Sequence, residues 1–165
     1  MRKYALASAA ALLAAGFASS VAAACDPKAP LAPPTAQFEI HGSTAYDTET
    51  RLSWQRCSLG QTFEYGAGCV GEVTAFTWTE AKALGEDGWR VPTRKELESL
   101  VVHTCTQPAV NAEVFPGIDL EMPGYWTSTP DGPTRLWYIN FADGSLRTYG
   151  GSLFRNAVRL VRSGQ

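Results

Sequence analysis

Short stretches of alternating hydrophobic and polar residues recur along the chain, and this pattern predicts β-strands that are buried on one face. Near the start, the pattern covers 37–46, with a turn at Gly42–Ser43, and 51–56. Towards the end it appears at 124–129, 135–141, 145–149 and 157–162. We expect the stretch 124–129 to end at Pro130. The next two stretches should form a hairpin, because Asp143–Gly144 supplies its turn.

Two stretches between these strands have helical signals. Thr77 is followed by Glu80, and Thr93 by Glu96, so each threonine can cap a helix whose glutamate bonds back to the cap. The first predicted helix stops at Gly85. The second has an apolar stripe at helical spacing, formed by Leu97, Leu100 and Val101. Strands, two adjacent helices and further strands predict one α+β domain.

Four cysteines accompany a glycine-rich segment, 58–73, which we interpret as a loop closed by a bridge rather than a packed element. An even number of cysteines suggests disulfides in an oxidising compartment. Three pairings are open to four cysteines. We predict Cys57–Cys69, which closes this loop, and Cys25–Cys105, which ties the start of the mature chain to the end of the second helix.

The N-terminus has the pattern of a secretory signal peptide. Two basic residues precede an uncharged run that ends in small residues, so cleavage is expected after Ala24. A membrane anchor is the alternative, but the run is mostly alanine, serine and glycine, which is weakly hydrophobic. Lipid attachment to Cys25 is a second alternative, which Ala22 disfavours, since lipoprotein signals usually carry leucine or valine at that position.

These features divide the chain of 165 residues into a signal peptide at 1–24, a proline-rich extended arm at 25–37 and one domain at 38–165. No stretch after the signal is apolar enough to cross a membrane. The mature protein is therefore expected to be exported, either to the periplasm or out of the cell.

Ordered motifs within 38–162 resemble the Lcl C-terminal domain family, which is named after a collagen-like adhesin of Legionella. The matching residues are Asp47, Thr50, Leu52, Trp54, Arg56–Cys57, Gly60, Thr77–Trp78, Ala81, Gly88–Thr93, Glu96–Leu97, Pro108–Val110, Phe115–Pro116, Tyr125–Thr129, Phe141, Gly144, Val158–Arg159 and Val161–Arg162. The resemblance implies a C-type-lectin-like fold, with two helices flanking small antiparallel sheets. It also implies adhesion through sulfated glycosaminoglycans.

The chain departs from the family pattern at two points. Arg51 stands where the family usually has glycine, so either this turn differs or Arg51 is strained. No collagen-like repeat precedes the domain, so the stalk of the named member is absent from this sequence.

Candidate catalytic chemistry is sparse, and we expect a non-catalytic protein without metal or cofactor. His41 and His103 are the only side chains with an unperturbed pKa near neutrality. Cys105 lies close to His103, but a disulfide would consume its thiol. The sequence has no cysteine after Cys105, which excludes the chemistry of the related formylglycine-generating enzymes. The Glu-Pro-Asn and Trp-Asn-Asp patterns of calcium-dependent lectins are also absent from it.

Tryptophans and arginines are the remaining candidates for ligand contacts. We expect Trp54, Trp78, Trp89 and Trp126 to serve the core rather than to stack on carbohydrate. Arg90 is expected to bond to backbone carbonyls. Two arginines of the last predicted strand, Arg159 and Arg162, are expected to pair internally with acidic residues.

Residues 122–165 contain five arginines and two aspartates, although the whole chain has a net charge of −2. This distribution does not suit a nucleic-acid binder, which needs a broad basic surface. It does suit a site for sulfate or carboxylate, because guanidinium groups pair with these anions in a bidentate way. The predicted ligand residues are Arg135, Arg147, Tyr149 and Arg155.

Two function classes stay open at this point. The first is an exported binding or adhesion module for sulfated or other anionic cell-surface glycans. The second is a structural or interaction component of a bacterial cell-envelope assembly, with envelope proteins as partners and no glycan ligand. Salt-sensitive retention on heparin would favour the first class, and co-purification with envelope proteins would favour the second.

Overall fold

Short antiparallel strands and two brief helices build the part of the chain that the computed structural model describes, which is 24–26, 35–151 and 153–164. Almost all of the predicted signal peptide and most of the proline-rich arm lie outside these ranges. The strands are β1 (Ala24–Cys25), β2 (Phe38–His41), β3 (Thr44–Asp47), β4 (Leu52–Gln55), β5 (Thr62–Glu64), β6 (Gly68–Val70), β7 (Phe76–Thr77), β8 (Cys105–Thr106), β9 (Gly124–Asp131), β10 (Arg135–Asn140), β11 (Ser145–Gly150), β12 (Arg155–Asn156) and β13 (Val161–Ser163). The α-helices are α1 (Trp78–Lys82) and α2 (Arg94–Glu98), and a single 3-10 turn covers Thr35–Gln37.

A four-stranded sheet in the order β13-β4-β3-β2 joins the two ends of the domain. The predicted turn at Gly42–Ser43 connects β2 to β3, and the last strand pairs antiparallel with β4. Trp54 of β4 lies opposite both Ala45 and Val161, and all three side chains are fully buried. Burial of these apolar residues holds the start and the end of the domain together.

A three-stranded sheet in the order β11-β10-β9 lies between two hydrophobic clusters. Tyr125 is opposite Ile139 in the sheet register, and both belong to the larger cluster, where Leu97 of α2 also lies. The next residue, Trp126, is opposite Tyr138, and both belong to the smaller cluster. Neighbouring residues of a strand point to opposite faces, so the two faces of this sheet bury separate cores.

Both helices begin at the capping boxes that the sequence predicts. The side chains of Thr77 and Thr93 accept the backbone N–H groups of Glu80 and Glu96, whose carboxylates accept the threonine N–H groups in return. The helices are shorter than predicted, however. The first ends before Gly85, and α2 ends before the last two residues of its apolar stripe, because the chain turns to pair Val101 with Val110 in an isolated bridge.

Three strand predictions are corrected by the structure. β9 continues through Pro130, and β9 is an edge strand of its sheet, where proline is tolerated. The glycine-rich segment 58–73 is not only a loop, since β5 and β6 form a hairpin inside it. The predicted closing strand 157–162 is divided, because Ala157 bridges to β9 before β13 begins.

Arg51, which stands where the family usually has glycine, has a strained backbone conformation, the second of the two alternatives considered for this turn. Its φ is 59°, in the left-handed region, and its N–H donates to the carbonyl of Asp47 over 2.8 Å. The buried Asp47 carboxylate also accepts bonds from the Thr50 hydroxyl and the Gln37 amide. The bonds to the carbonyl and to the carboxylate of Asp47 together hold the turn in the left-handed conformation that favours glycine.

Disulfides join Cys57 to Cys69 and Cys25 to Cys105, the two pairings chosen from the sequence. The first spans 12 residues and closes around the hairpin of β5 and β6. The second spans 80 residues and lies within the β1–β8 pair. Two disulfides fit a protein that resides in an oxidising, exported environment.

Candidate functional site

The register of the β10–β11 hairpin separates two of the predicted ligand residues. Arg147 is opposite Tyr138, and Tyr149 is opposite Leu136, so Arg147 and Tyr149 share one face. Arg135 is opposite Gly150, one position out of phase with them, and belongs to the other face. Arg135 therefore does not share a face of the hairpin with Arg147.

Arg147 and Arg155 are each engaged by several groups of the protein. The Arg147 guanidinium donates to the Asp143 carboxylate over 2.6 Å and to the Ser145 hydroxyl over 2.7 Å. Partial burial by itself raises the pKa of Asp143. Hydrogen bonds from Ser145 and the charge of Arg147 outweigh this effect, so the pKa of Asp143 is lowered. Arg155 lies in β12 and donates to the Glu80 carboxylate and the Ala75 carbonyl.

Glu80 links Arg155 to the first helix cap. The backbone N–H of Thr77 is the main cause that lowers the pKa of Glu80, and Arg155 lowers it further. Arg155 is thus part of a link between β12 and α1 as well as an exposed cation.

Arg135 lines a concave surface of about 410 Å³, which we call the Arg135 groove. Its Nε donates to Asp131 over 2.9 Å, the one ion pair that the guanidinium makes with a described residue. The other lining residues are Trp78, Thr79, Pro130, Gly132, Pro133, Thr134, Leu136 and Gly151. A mainly apolar groove with a few polar groups and one charge has the general character of a ligand site.

Tyr149 belongs to an aromatic cluster rather than standing alone. Its ring stacks on Phe154 with centroids 4.2 Å apart, and Phe154 also contacts Trp126 and Tyr138. Its side chain is 40% exposed, so one part covers the smaller core and the rest remains open to a ligand.

Four of the five tryptophans, those expected in the core, divide into buried and partly exposed pairs. Trp54 and Trp126 are buried, as predicted. Trp78 donates its indole N–H to the Thr127 carbonyl, and its ring reaches the Arg135 groove. Trp89, predicted for the core, packs against the smaller core but is only partly buried, with the Arg162 guanidinium 4.7 Å from its ring centroid.

The partner predicted for Arg90 is wrong. Its guanidinium forms a bidentate pair with the Glu96 carboxylate, at 2.8 and 2.7 Å, instead of bonding to carbonyls. This pair is the main cause that lowers the pKa of Glu96 to about 2, with the Thr93 cap contributing. The pair joins the strand-like segment before α2 to the first turn of that helix.

The partners predicted for Arg159 are also wrong. Arg159 is 1% exposed, and it donates to the carbonyls of Gln55 and Arg56 rather than to a described carboxylate. Its guanidinium lies 5.0 Å from the centroid of the Phe115 ring. Burial lowers the pKa of Arg159, and this arginine organises the end of β4.

A second concave surface, of about 370 Å³, lies beside the Cys57–Cys69 bridge and was not anticipated from the sequence. We call it the Gln55 pocket. It is lined by Ser43, Thr44, Gln55, Cys57, Ser58, Leu59, Gln61, Thr62, Phe63 and Trp89. Its members come from distant parts of the chain and share no motif, so the linear sequence carries no signal for it.

The structure defines the surroundings of two candidate catalytic residues. His41 is exposed beside Glu39, and Cys105 is bonded to Cys25. Within 24–26, 35–151 and 153–164, no group of three histidine, cysteine, aspartate or glutamate residues is arranged to hold a metal ion. A search of the same residues also finds no helix long and apolar enough to span a membrane.

A small, disulfide-bonded, mainly antiparallel β domain with concave surfaces has the characteristics of a binding module. The Lcl C-terminal domain model matches residues 43–162, and the chain belongs to this family. Membership of this adhesin-associated family fits a non-catalytic binding role. A comparison with curated proteins finds no match.

Proposed function

We propose that this protein is an exported adhesion module that binds sulfated or other anionic glycans at the Arg135 groove. The observation that carries the proposal is the position of Arg135, a predicted ligand arginine that lines a concave surface. Its side chain is 60% exposed, and a single aspartate contacts it through Nε. The remaining guanidinium donors can therefore face a sulfate or carboxylate group.

The walls of the groove suit a saccharide ring beside that anion. Trp78 supplies an aromatic surface, and Thr79 and Thr134 supply hydroxyl groups at the rim. Lys82 lies 5.1 Å from the centroid of the Trp78 ring and adds a second positive charge near the groove. Tyr149 and Arg155 extend the proposed binding surface, although the partners of Arg155 reduce what it can offer a ligand. Arg147 does not line the Arg135 groove, and Asp143 and Ser145 hold its guanidinium.

We also propose that the fold is C-type-lectin-like. Two features support this assignment: the last strand pairs beside the early strands, and two short helices flank small antiparallel sheets. The disulfide between β1 and β8 further ties the start of the described domain to the segment after α2.

Heparin chromatography of the refolded mature protein tests the glycan proposal. We expect retention at low salt and elution as salt rises, because exposed charge contacts are screened. Arg135→Ala should elute at clearly lower salt than wild type. Arg147→Ala is the matched control, since both arginines are exposed and pair with an aspartate four residues away.

The control removes the same charge from a position that does not line the Arg135 groove, so it should change elution less than Arg135→Ala does. Failure of the wild-type protein to bind heparin at low salt would reject the anionic-glycan proposal. Equal elution of the two variants would show that net charge, rather than the groove, governs retention. Co-purification with envelope proteins in the absence of heparin binding would instead support a role in an envelope assembly.

A further inference from the structure

We propose that the Gln55 pocket is a second binding site, specific for a neutral saccharide and independent of the Arg135 groove. Its volume of about 370 Å³ falls within the range of small-molecule sites. None of the described residues that line it is charged; the lining consists of amides, hydroxyls, a leucine, a disulfide cysteine and two aromatic rings.

Several polar groups of the pocket are left available by the fold. The side chains of Ser43, Gln55 and Thr62 form no hydrogen bond with the residues that the structure describes, and neither does the indole N–H of Trp89. By contrast, Ser58 bonds to the Tyr125 hydroxyl over 2.6 Å and serves the interior. An unbonded amide offers both a donor and an acceptor, and each hydroxyl offers both as well.

This set of groups suits a polyhydroxylated ligand without charge. Adjacent hydroxyls of a saccharide can donate to and accept from the Gln55 amide, while Thr62 and Ser43 bond to others. The rings of Phe63 and Trp89 provide apolar walls for the C–H faces of the sugar. A sulfate or carboxylate would gain no ion pair from the lining, so an anionic ligand has no advantage here.

The walls of the pocket are held rigidly by residues outside it. Arg56 donates to the carbonyls of Gly42, Glu113 and Val114, and its guanidinium lies 4.5 Å from the centroid of the Phe63 ring.

Buried Arg159 holds the Gln55 carbonyl over 2.7 Å, and Arg162 lies over the Trp89 ring. The Cys57–Cys69 bridge holds the β5–β6 hairpin, in which Thr62 is the first residue. A preorganised site reduces the entropy that a ligand must overcome on binding.

Nuclear magnetic resonance titration of the refolded mature protein tests this site. The probes are glucose, galactose, mannose and N-acetylglucosamine, each added separately up to millimolar concentration. We expect at least one to cause saturable shifts of the Gln55 side-chain amide, the Thr62 amide and the Trp89 indole N–H. The affinity should not change when salt is added, because no charge contact is involved.

Two variants locate the binding energy. Gln55→Ala should weaken the bound saccharide about tenfold, the effect of losing a hydrogen-bonded amide. Thr62→Val should also weaken it, whereas Thr79→Val, the same change at an exposed threonine of the Arg135 groove, should not. Unchanged folding is checked by the dispersion of the remaining resonances.

Three outcomes would overturn the proposal: no probe gives saturable shifts, the shifts cluster around the Arg135 groove, or Gln55→Ala binds as tightly as wild type. A heparin fragment that shifts the same resonances in a salt-dependent way would also overturn it, because the pocket would then prefer anions. The heparin test of Arg135→Ala does not depend on these results, so either site can fail without the other.

Discussion

The ion pair between Arg90 and Glu96 provides a quantitative test of how the second helix is fixed. Glu96 accepts two bonds from the Arg90 guanidinium and one from the Thr93 N–H, over 2.8, 2.7 and 2.7 Å. Replacing Glu96 by Gln keeps the shape of the side chain and removes its charge. We expect this single change to weaken both the helix cap and the link to Arg90.

The pKa of Glu96 sets the scale of the effect. Its lowering from 4.5 to about 2 corresponds to about 3.4 kcal/mol, at about 1.4 kcal/mol for each tenfold change in proton affinity. The Arg90 side chain is 41% exposed and that of Glu96 is 20% exposed, so water screens part of the interaction. We therefore expect Glu96→Gln to lower the free energy of unfolding by about 2 kcal/mol at neutral pH.

The effect should depend on pH in a defined direction. Because folding lowers the pKa of Glu96, its charge stabilises the folded state above the unfolded value, near 4.5. That stabilisation is lost as the pH falls through the folded value of about 2. The difference in the free energy of unfolding between wild type and Glu96→Gln should be largest at neutral pH. It should shrink steadily as the pH falls across this acidic range.

Urea unfolding followed by tryptophan fluorescence, at neutral pH and at several acidic values, measures this difference. Glu98→Gln is the matched control, because Glu98 lies on the same short helix and forms no ion pair with a described residue. The control should change stability by less than about 0.5 kcal/mol. If the free energy of unfolding of Glu96→Gln differs from that of wild type by a constant amount from neutral pH to the lowest pH, the reasoning is refuted.

Three further predictions concern the rest of the chain. Replacing Cys57 and Cys69 by serine should lower the free energy of unfolding by about 3 kcal/mol through loop entropy, and urea unfolding measures this; a loss below about 1 kcal/mol would contradict it. Arg51→Gly should be more stable than Arg51→Ala by thermal unfolding, because φ is 59° there, and the reverse order would show that the turn relaxes. Intact mass of exported protein should lack residues 1–24, and a mass that retains them would exclude cleavage, whereas a lipid adduct on Cys25 would indicate a lipoprotein.

Local chemistry allowed many elements to be located from the sequence. The capping boxes at Thr77 and Thr93, and the turn at Asp143–Gly144, depend on residues only one to three positions apart. At Gly144, φ is +72°, and an added Cβ would lie 2.7 Å from a methyl carbon of Val101. Such positions are predictable because the backbone conformation and the side chain that permits it are neighbours in the chain.

Element ends depended on contacts that the sequence does not display. α2 stops early because Val101 pairs with Val110 across a turn. β9 passes through Pro130 because no further strand lies beyond it in its sheet. For α2, pairing with a distant segment outweighs the local helical preference. For β9, the absence of a further strand in the described sheet outweighs the local tendency of proline to end a strand.

The sequence by itself determined the family, the main strands, both helix starts and the choice of cysteine pairs, because motifs, caps and turns are local patterns. Only the tertiary structure decided which side chains meet. The register of one hairpin separates Arg135 from Arg147, and the buried Arg159 holds carbonyls rather than an acid. Packing likewise brings Gln55 and Trp89 to one pocket. Binding surfaces of this kind arise from residues far apart in the chain, whose proximity follows from burial of the two cores and not from any spacing in the sequence.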